Sequence, residues 1–142
     1  MEVKIRETKE TDFEEISNLL KDTGLKDEYF TKEKFDKMLE RNKAYCYVAE
    51  YNRKIIGSAF AMHDGAFRGY IQKIAVSRGY RRNGVAKSLI KTIIDKLEEI
   101  EIPLIFALTE KNNKPSVELL ESLGFEVRYS HYLIDKGYKK RK

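Results

Sequence analysis

The chain has little cysteine: Cys46 is the only one in 142 residues. An intrachain disulfide is therefore excluded, and so is a metal centre built on several thiolates. Long apolar runs are missing as well. No stretch approaches the roughly 18 consecutive apolar residues of a membrane-spanning helix, and the first residues lack the pattern of a secretory signal. The expectation is a soluble, cytoplasmic protein without a membrane partner. Internal repeats, low-complexity segments and linker-like stretches are also absent. One domain over residues 1–142 is expected, with residues 139–142 a frayed basic tail.

Two nucleotide-binding signatures are missing too. A mononucleotide loop needs Gly-Lys-Ser/Thr at a helix start, and none is present. A dinucleotide fingerprint needs three glycines near a first strand, whereas the basic turn of this chain comes after residue 70 and holds only Gly79 and Gly84.

What is there suits a folded globular chain. Hydrophobic residues make up 42% and aromatics 11%. Charged residues reach 36%, against about 25% in typical soluble domains. The net charge of +5 permits nucleic-acid or anionic-ligand binding without demanding either. Much of that excess sits in Lys139, Lys140, Arg141 and Lys142. A basic RNA-binding protein is one reading of the charge, but nucleic acid is not the favoured partner, because Arg81 and Arg82 suit a pyrophosphate better.

Along the chain, Val3 and Ile5 alternate with polar residues as a short first strand. Thr11 and Glu14 have capping-box spacing and open a helix with Phe13, Ile16, Leu19 and Leu20 on its apolar face; Gly24 ends it. Thr31 reads as the next N-cap, before Phe35, Met38 and Leu39. Residues 44–50 and 55–62 are β-rich and separated by a hairpin turn at 51–54. A strand follows over about 67–76, then a helix with Val85, Leu89, Ile93, Ile94 and Leu97 as its stripe. Residues 104–109 read as a buried strand. Asn112 or Asn113 caps a fourth helix, with Pro115 in its first turn, Val117, Leu120 and Leu123 inward and Gly124 at its end. Residues 125–134 read as a last long strand or strand pair. The fold class is α/β (α+β), a mixed and largely antiparallel sheet with helices on both faces.

The chemistry concentrates in residues 70–94: an apolar strand, a basic glycine-containing turn and a helix. Such a turn points several N–H groups at one spot, and the helix dipole adds positive potential. Arg81 and Arg82 supply full charges beside those donors. In the strand, Ile71 and Ile74 are three apart while Ile74 and Val76 are two apart. A regular strand keeps period two, so one extra residue, a β-bulge near Gln72–Lys73, is expected.

At these residues the chain resembles the GCN5-related N-acetyltransferases, the GNAT superfamily. Arg81, Gly84 and Ala86 match that family's Arg/Gln-x-x-Gly-x-Gly/Ala signature, which follows a bulged fourth strand. Asn113, Leu119, Gly124 and Phe125 fall in a second block similar to the family's Asn-x-x-Ala-x-x-Leu-Tyr-x-x-x-Gly-Phe. The resemblance implies six to seven strands, about four helices and acetyl-CoA as donor, with no metal. It implies that amides of Arg82, Asn83, Gly84, Val85, Ala86 and Lys87, with Arg81, hold the pyrophosphate. Ile74, Ala75 and Val76 would pair with the pantetheine arm, and Asn113 would contact it.

Two departures from the family stand out. Leu120 occupies the position where the family often has a tyrosine acid, and Tyr129 and Tyr132 are the candidates to replace it. Gln72 stands where several relatives carry a glutamate base. Glu28, Asp27, His63 and Asp64 are the neighbours that could serve, Glu28 being the first choice. The link between the first two helices carries Asp22, Asp27, Glu28, Tyr29 and Phe30, acids and aromatics that suit a cationic amine. The expected activity is N-acetylation of a primary amine, a protein N-terminus or a small amine. The alternative is a non-catalytic acyl-CoA-binding module. An incomplete seventh strand would leave an edge that a second copy of the chain could cover, as a homodimer.

Overall fold

The sheet grows outward from a hairpin closed by two residues. Asn52 and Arg53 take φ of 50° and 63°, the left-handed pair that a two-residue turn needs to match strand twist. They join β2 (Cys46–Tyr51) to β3 (Lys54–His63), with Tyr51 opposite Lys54. The computed structural model that places them describes residues 1–109, 112–128 and 134–136. The other strands are β1 (Lys4–Glu7), β4 (Arg68–Val76) and β5 (Leu104–Ala107); the helices are α1 (Phe13–Asp22), α2 (Lys32–Asn42), α3 (Val85–Glu99) and α4 (Lys114–Ser122). The strand order is β1-β2-β3-β4-β5. Only β4 and β5 run parallel, and α3 is the crossover that such a pair requires. No helix among the described residues is long and apolar enough to cross a membrane.

The chain divides into two compact units, Met1–Leu108 and Thr109–Lys142. The first holds the whole sheet with α1, α2 and α3. On one sheet face Ile16, Leu19 and Leu20 of α1 and Phe35 and Leu39 of α2 pack with Cys46, Val48, Ile55, Phe60 and Ala75. Phe35 links Phe13, Phe30 and Phe60 through ring contacts of 5.4, 5.9 and 6.3 Å. Side chains alternate along a strand, so Gly57 faces the other side from Ser58 and Phe60. There α3 lies close: a Cβ on Gly57 would meet Val85 at 3.0 Å, and one on Gly69 would meet Leu97 at 3.0 Å. The helix stripe is Val85, Leu89, Ile90, Ile93 and Leu97, all buried, whereas the expected Ile94 is only half-buried.

Several expectations are corrected. The described residues form five strands, not six or seven. Residues 125–128 and 134–136 are not strand, since extended backbone counts as strand only with a ladder partner, and 129–133 and 139–142 lie outside the described residues. β5 is not buried: as the last strand in the order it leaves Leu104 44% exposed and Phe106 half-buried. The Thr11–Glu14 box does not form. A short 3-10 turn (Glu10–Asp12) precedes α1, and the Asp12 carboxylate instead accepts from the Lys9 amide (2.8 Å) and from Arg6 of β1 (2.8 and 3.0 Å).

In the second unit, the Asn113 side chain accepts from the Ser116 amide at 3.3 Å and caps α4. Leu120 is buried, and Gly124 ends the helix at φ 94°.

Candidate cofactor-binding site

β4 carries one residue too many. Ser58 pairs with Ala75 and Phe60 with Gln72, so three steps of β4 span two of β3. Lys73 absorbs the difference at φ 54°. The bulge is where the spacing of Ile71, Ile74 and Val76 predicts it. The Ser58 hydroxyl, fully buried in an otherwise apolar run, donates to the Lys73 carbonyl at 2.9 Å.

The ladder between β4 and β5 stops at Ile71 opposite Ala107. Beyond it, residues 72–76 have β3 on one side and no strand on the other among the described residues. The Ser77 amide donates to Ile56 of β3 at 2.8 Å. Successive amides of a strand point to opposite edges, so those of Val76 and Ile74 turn toward the open edge and that of Ala75 toward β3. An extended ligand with amides of its own can add there as a strand would.

The open edge leads into the basic turn. After a 3-10 turn (Arg78–Tyr80), Arg82 and Gly84 take φ of 67° and 74°. Asn83 Nδ2 donates to the carbonyls of Tyr80 and Arg81 at 3.2 Å each, and Arg81 Nε donates to Val76 O at 3.1 Å. The turn is thus laced to the end of β4. Gly84 sits at the N-cap of α3 without a side-chain cap, and Ser88 is the residue whose amide reaches back to Gly84 O, at 3.0 Å. The amides of Val85, Ala86 and Lys87 therefore precede the helical ladder. Arg81, Arg82, Asn83, Gly84 and Lys87 are exposed, Ala86 is half-buried, and the Val85 side chain is buried beneath. Unclaimed amides, a helix dipole and two guanidinium groups make this turn a cradle of the kind that suits an anion.

The other expected residues fall into separate groups. Asn113 belongs to the second unit, and Tyr129 and Tyr132 lie outside the described residues. Glu28 is exposed in the link between α1 and α2. Gln72 is half-buried beside the bulge. His63 and Asp64 are at the other end of the β3–β4 hairpin, three residues beyond Phe60, about 10 Å along the strand. Both are also committed to the turn there. His63 Nδ1 accepts from the Gly65 amide at 2.9 Å, and Asp64 Oδ1 accepts from the amides of Ala66, Phe67 and Arg68 at 2.7–3.0 Å. Those amides hold the Asp64 carboxyl down to about 2, too acidic for a base at neutral pH. Burial pushes the Cys46 thiol up to about 12, so it is no nucleophile.

Sequence reasoning passed over two residues. One is Ser58, whose signal was a lone hydroxyl in the apolar run of β3. The other is Lys73, whose ammonium donates to Leu25 O at 3.2 Å and to Asp27 Oδ2 at 3.3 Å.

A family model described as "Acetyltransferase (GNAT) family" matches residues 10–125. Among curated proteins, N-alpha-acetyltransferase 30 of Homo sapiens is 36% identical over 84 residues, which is 56% of this chain and 23% of that protein. The Saccharomyces cerevisiae protein of the same name is 36% identical over 72 residues, 49% of this chain and 41% of its own length. The chain thus spans less than half the length of these relatives. Among solved structures, a chain of the "NatC complex bound to Gag peptide and CoA" superposes with TM-score 0.75 at 27% identity, covering 87% of this chain and 84% of that one. Ard1 from Thermoplasma volcanium superposes with TM-score 0.79 at 18% identity over 90% of this chain and 85% of that one, a likeness of fold.

Proposed function

Because the chain belongs to the acetyltransferase (GNAT) family, we propose that it moves an acetyl group from acetyl-CoA to a primary amine, with a protein N-terminus as the leading acceptor and a small amine as the other. The observation that carries this reading is the continuous path from the unpaired edge of β4 at residues 72–76 into the uncapped start of α3.

Acetyl-CoA supplies an activated thioester when bound. The amides of residues 82–87, with Arg81 and Arg82, hold its pyrophosphate. The amides of Ile74 and Val76 take its pantetheine arm as a further strand would. A β4 amide at the open edge would donate to the thioester carbonyl as negative charge develops there. A neutral amine would take the acetyl group there, giving up a proton as the CoA thiolate leaves. That thiolate has a conjugate pKa of about 8.5, so turnover does not require a dedicated acid at Leu120. With Gln72 in β4, the amine's proton goes to water or to a link carboxylate, Glu28 being the first choice. Tyr129, Tyr132 and Asn113 complete the proposed set.

Peptide N-termini lead because the relatives are named N-alpha-acetyltransferases and because one similar structure is titled as bound to a peptide and CoA. The test is CoA thiol release by purified protein with acetyl-CoA and panels of N-terminal peptides, polyamines and amino acids. Release with peptides supports the assignment, and release with polyamines alone moves it to small amines. Tight CoA binding without release from any acceptor would favour the non-catalytic module, which Gln72 and Leu120 motivate.

A further inference from the structure

We propose that Lys73 is a positioning residue for the acceptor side of this site: its ammonium straps the α1–α2 link to the bulged strand. The inference rests on the acetyltransferase reading for its functional consequence and on geometry alone for the strap.

Both ends of Lys73 are held. Its backbone is fixed in the left-handed region at φ 54°, with its carbonyl bonded to buried Ser58. Its side chain is only 20% exposed, and Nζ reaches Leu25 O at 3.2 Å and Asp27 Oδ2 at 3.3 Å. The link needs such a tie. Its start is bonded to α1, through the Leu25 and Lys26 amides on Leu20 O at 2.8 and 3.2 Å. Its end is anchored by Phe30, stacked on Phe13 at 5.4 Å. Between them, the two Lys73 bonds are the link's hydrogen bonds to the sheet among the described residues. Nearby a cavity of about 350 Å³, lined by Asp22, Thr23, Ser77 and Arg78, separates the end of α1 from the residues after β4. The strap thus joins the link to β4 just past the point where its ladder with β5 ends.

The strap also sorts the link's acids. Asp27 is taken by Lys73, and its other oxygen accepts from the Tyr29 amide at 2.9 Å. Glu28, next in the chain, makes no ion pair among the described residues. An arriving ammonium therefore meets the Glu28 carboxylate, in a link whose position Lys73 sets.

Lys73→Met is the informative variant, because it keeps most of the unbranched apolar stem and the same demand on φ while removing the ammonium. Hydrogen exchange of residues 23–31 in the CoA-free protein should quicken about two- to fivefold, the range that a partly exposed ion pair supplies. Asp27→Asn should quicken the same segment less, and the double variant no more than Lys73→Met alone, since the two residues share one contact. Lys73→Arg should restore the slow exchange. Unchanged exchange in Lys73→Met, or effects of the two single changes that simply multiply, would overturn the strap. With a peptide acceptor, Lys73→Met should raise the acceptor KM by about the same two- to fivefold, with kcat and CoA affinity held within roughly twofold. A fall in kcat at constant KM, or weakened CoA binding, would overturn the acceptor role. If no acceptor turns over, the acetyltransferase reading fails while the exchange result still decides the strap.

Discussion

The hydroxyl of Ser58 lies fully buried and donates across the hairpin to the carbonyl of Lys73, 15 residues away, at 2.9 Å. That bond sits on the one residue of β4 with a positive φ. A non-glycine residue at φ 54° is held against its own preference, and Ser58 is the polar group that β3 offers to hold it. Ser58→Ala should lower unfolding free energy by about 1 kcal/mol, the net value of one neutral hydrogen bond, as read by urea denaturation. It should also lower kcat while leaving CoA affinity within about twofold, since the anion cradle of residues 82–87 is untouched. An unchanged kcat would show that the bulge keeps its geometry without Ser58.

Gly57 sets where the cradle stands. A methyl group there would lie 3.0 Å from Val85 Cγ1 and 3.2 Å from both the Ala75 carbonyl oxygen and Leu89 Cδ1. The carbonyl belongs to the backbone of β4 and cannot swing aside, so the strand at Ala75 must shift while Val85 at the start of α3 is pressed from the same side. Gly57→Ala should cost roughly 1–3 kcal/mol, as overpacking does, and should weaken CoA binding in calorimetry. Gly69 is the control at the other end of the helix. Its added methyl would meet Leu97 Cδ1 at 3.0 Å and Cδ2 at 3.4 Å, tips that can rotate. Gly69→Ala should lower stability less and leave CoA affinity alone. Equal losses of affinity in both variants would argue against a placement role for Gly57.

Arg81 and Arg82 look alike in the sequence and separate in the structure. Arg81 spends its Nε on Val76 O at 3.1 Å, whereas Arg82 is exposed at φ 67° with no hydrogen bond among the described residues. Arg82→Gly removes a charge and also relieves a strained φ, which favours the folded state by about 1 kcal/mol. CoA affinity should therefore fall roughly tenfold, the scale of one charge-assisted hydrogen bond, while Tm holds or rises. The loss should shrink at high salt. Arg81→Ala should lower both affinity and Tm. A drop in Tm for Arg82→Gly would show that its side chain has a structural partner.

The bulge of β4 was legible in the sequence because burial enforces period. Ile71 and Ile74 could not both face one side of a regular strand, and the extra residue lies between them. The turn at residues 81–86 was readable from arginine and glycine spacing. The same reading could not see what long-range contacts decide. Lys73 meets Asp27 across 46 residues, and nothing local marks either as the other's partner. Thr11 has the spacing of a cap, yet Arg6 and the Lys9 amide draw in Asp12, and the helix starts from Asp12 instead. Asp64 looked available until three amides of its own turn claimed it. Phe125 and Val127 alternate as a strand would, but a strand needs a neighbour, and among the described residues they have none in a ladder.

The seat of α1, whose link carries Asp27, gives a pH-dependent prediction. Arg6 is forked between Asp12, at 2.8 and 3.0 Å, and Glu50, at 3.1 and 3.3 Å. Burial on its own would raise the Asp12 pKa, but the hydrogen bonds from Arg6 and from the Lys9 amide outweigh it, and the carboxyl stays below its ordinary value. The unfolded chain therefore takes up this proton first, near pH 3.9. Above that pH Asp12 is ionised in both states and its contribution is fully present. As pH falls below it, the contribution is lost progressively, and it is gone once the folded-state pKa is passed. Asp12→Asn should lower unfolding free energy at pH 7 by roughly 1–3 kcal/mol, the scale of hydrogen bonds to a charged group. It should also flatten the decline of stability below about pH 4 relative to wild type. Urea titrations of both proteins between pH 3 and 7 measure the difference. Parallel decline in the two would mean that Asp12 titrates alike folded and unfolded, and that the Arg6 fork adds nothing to holding α1 on the sheet.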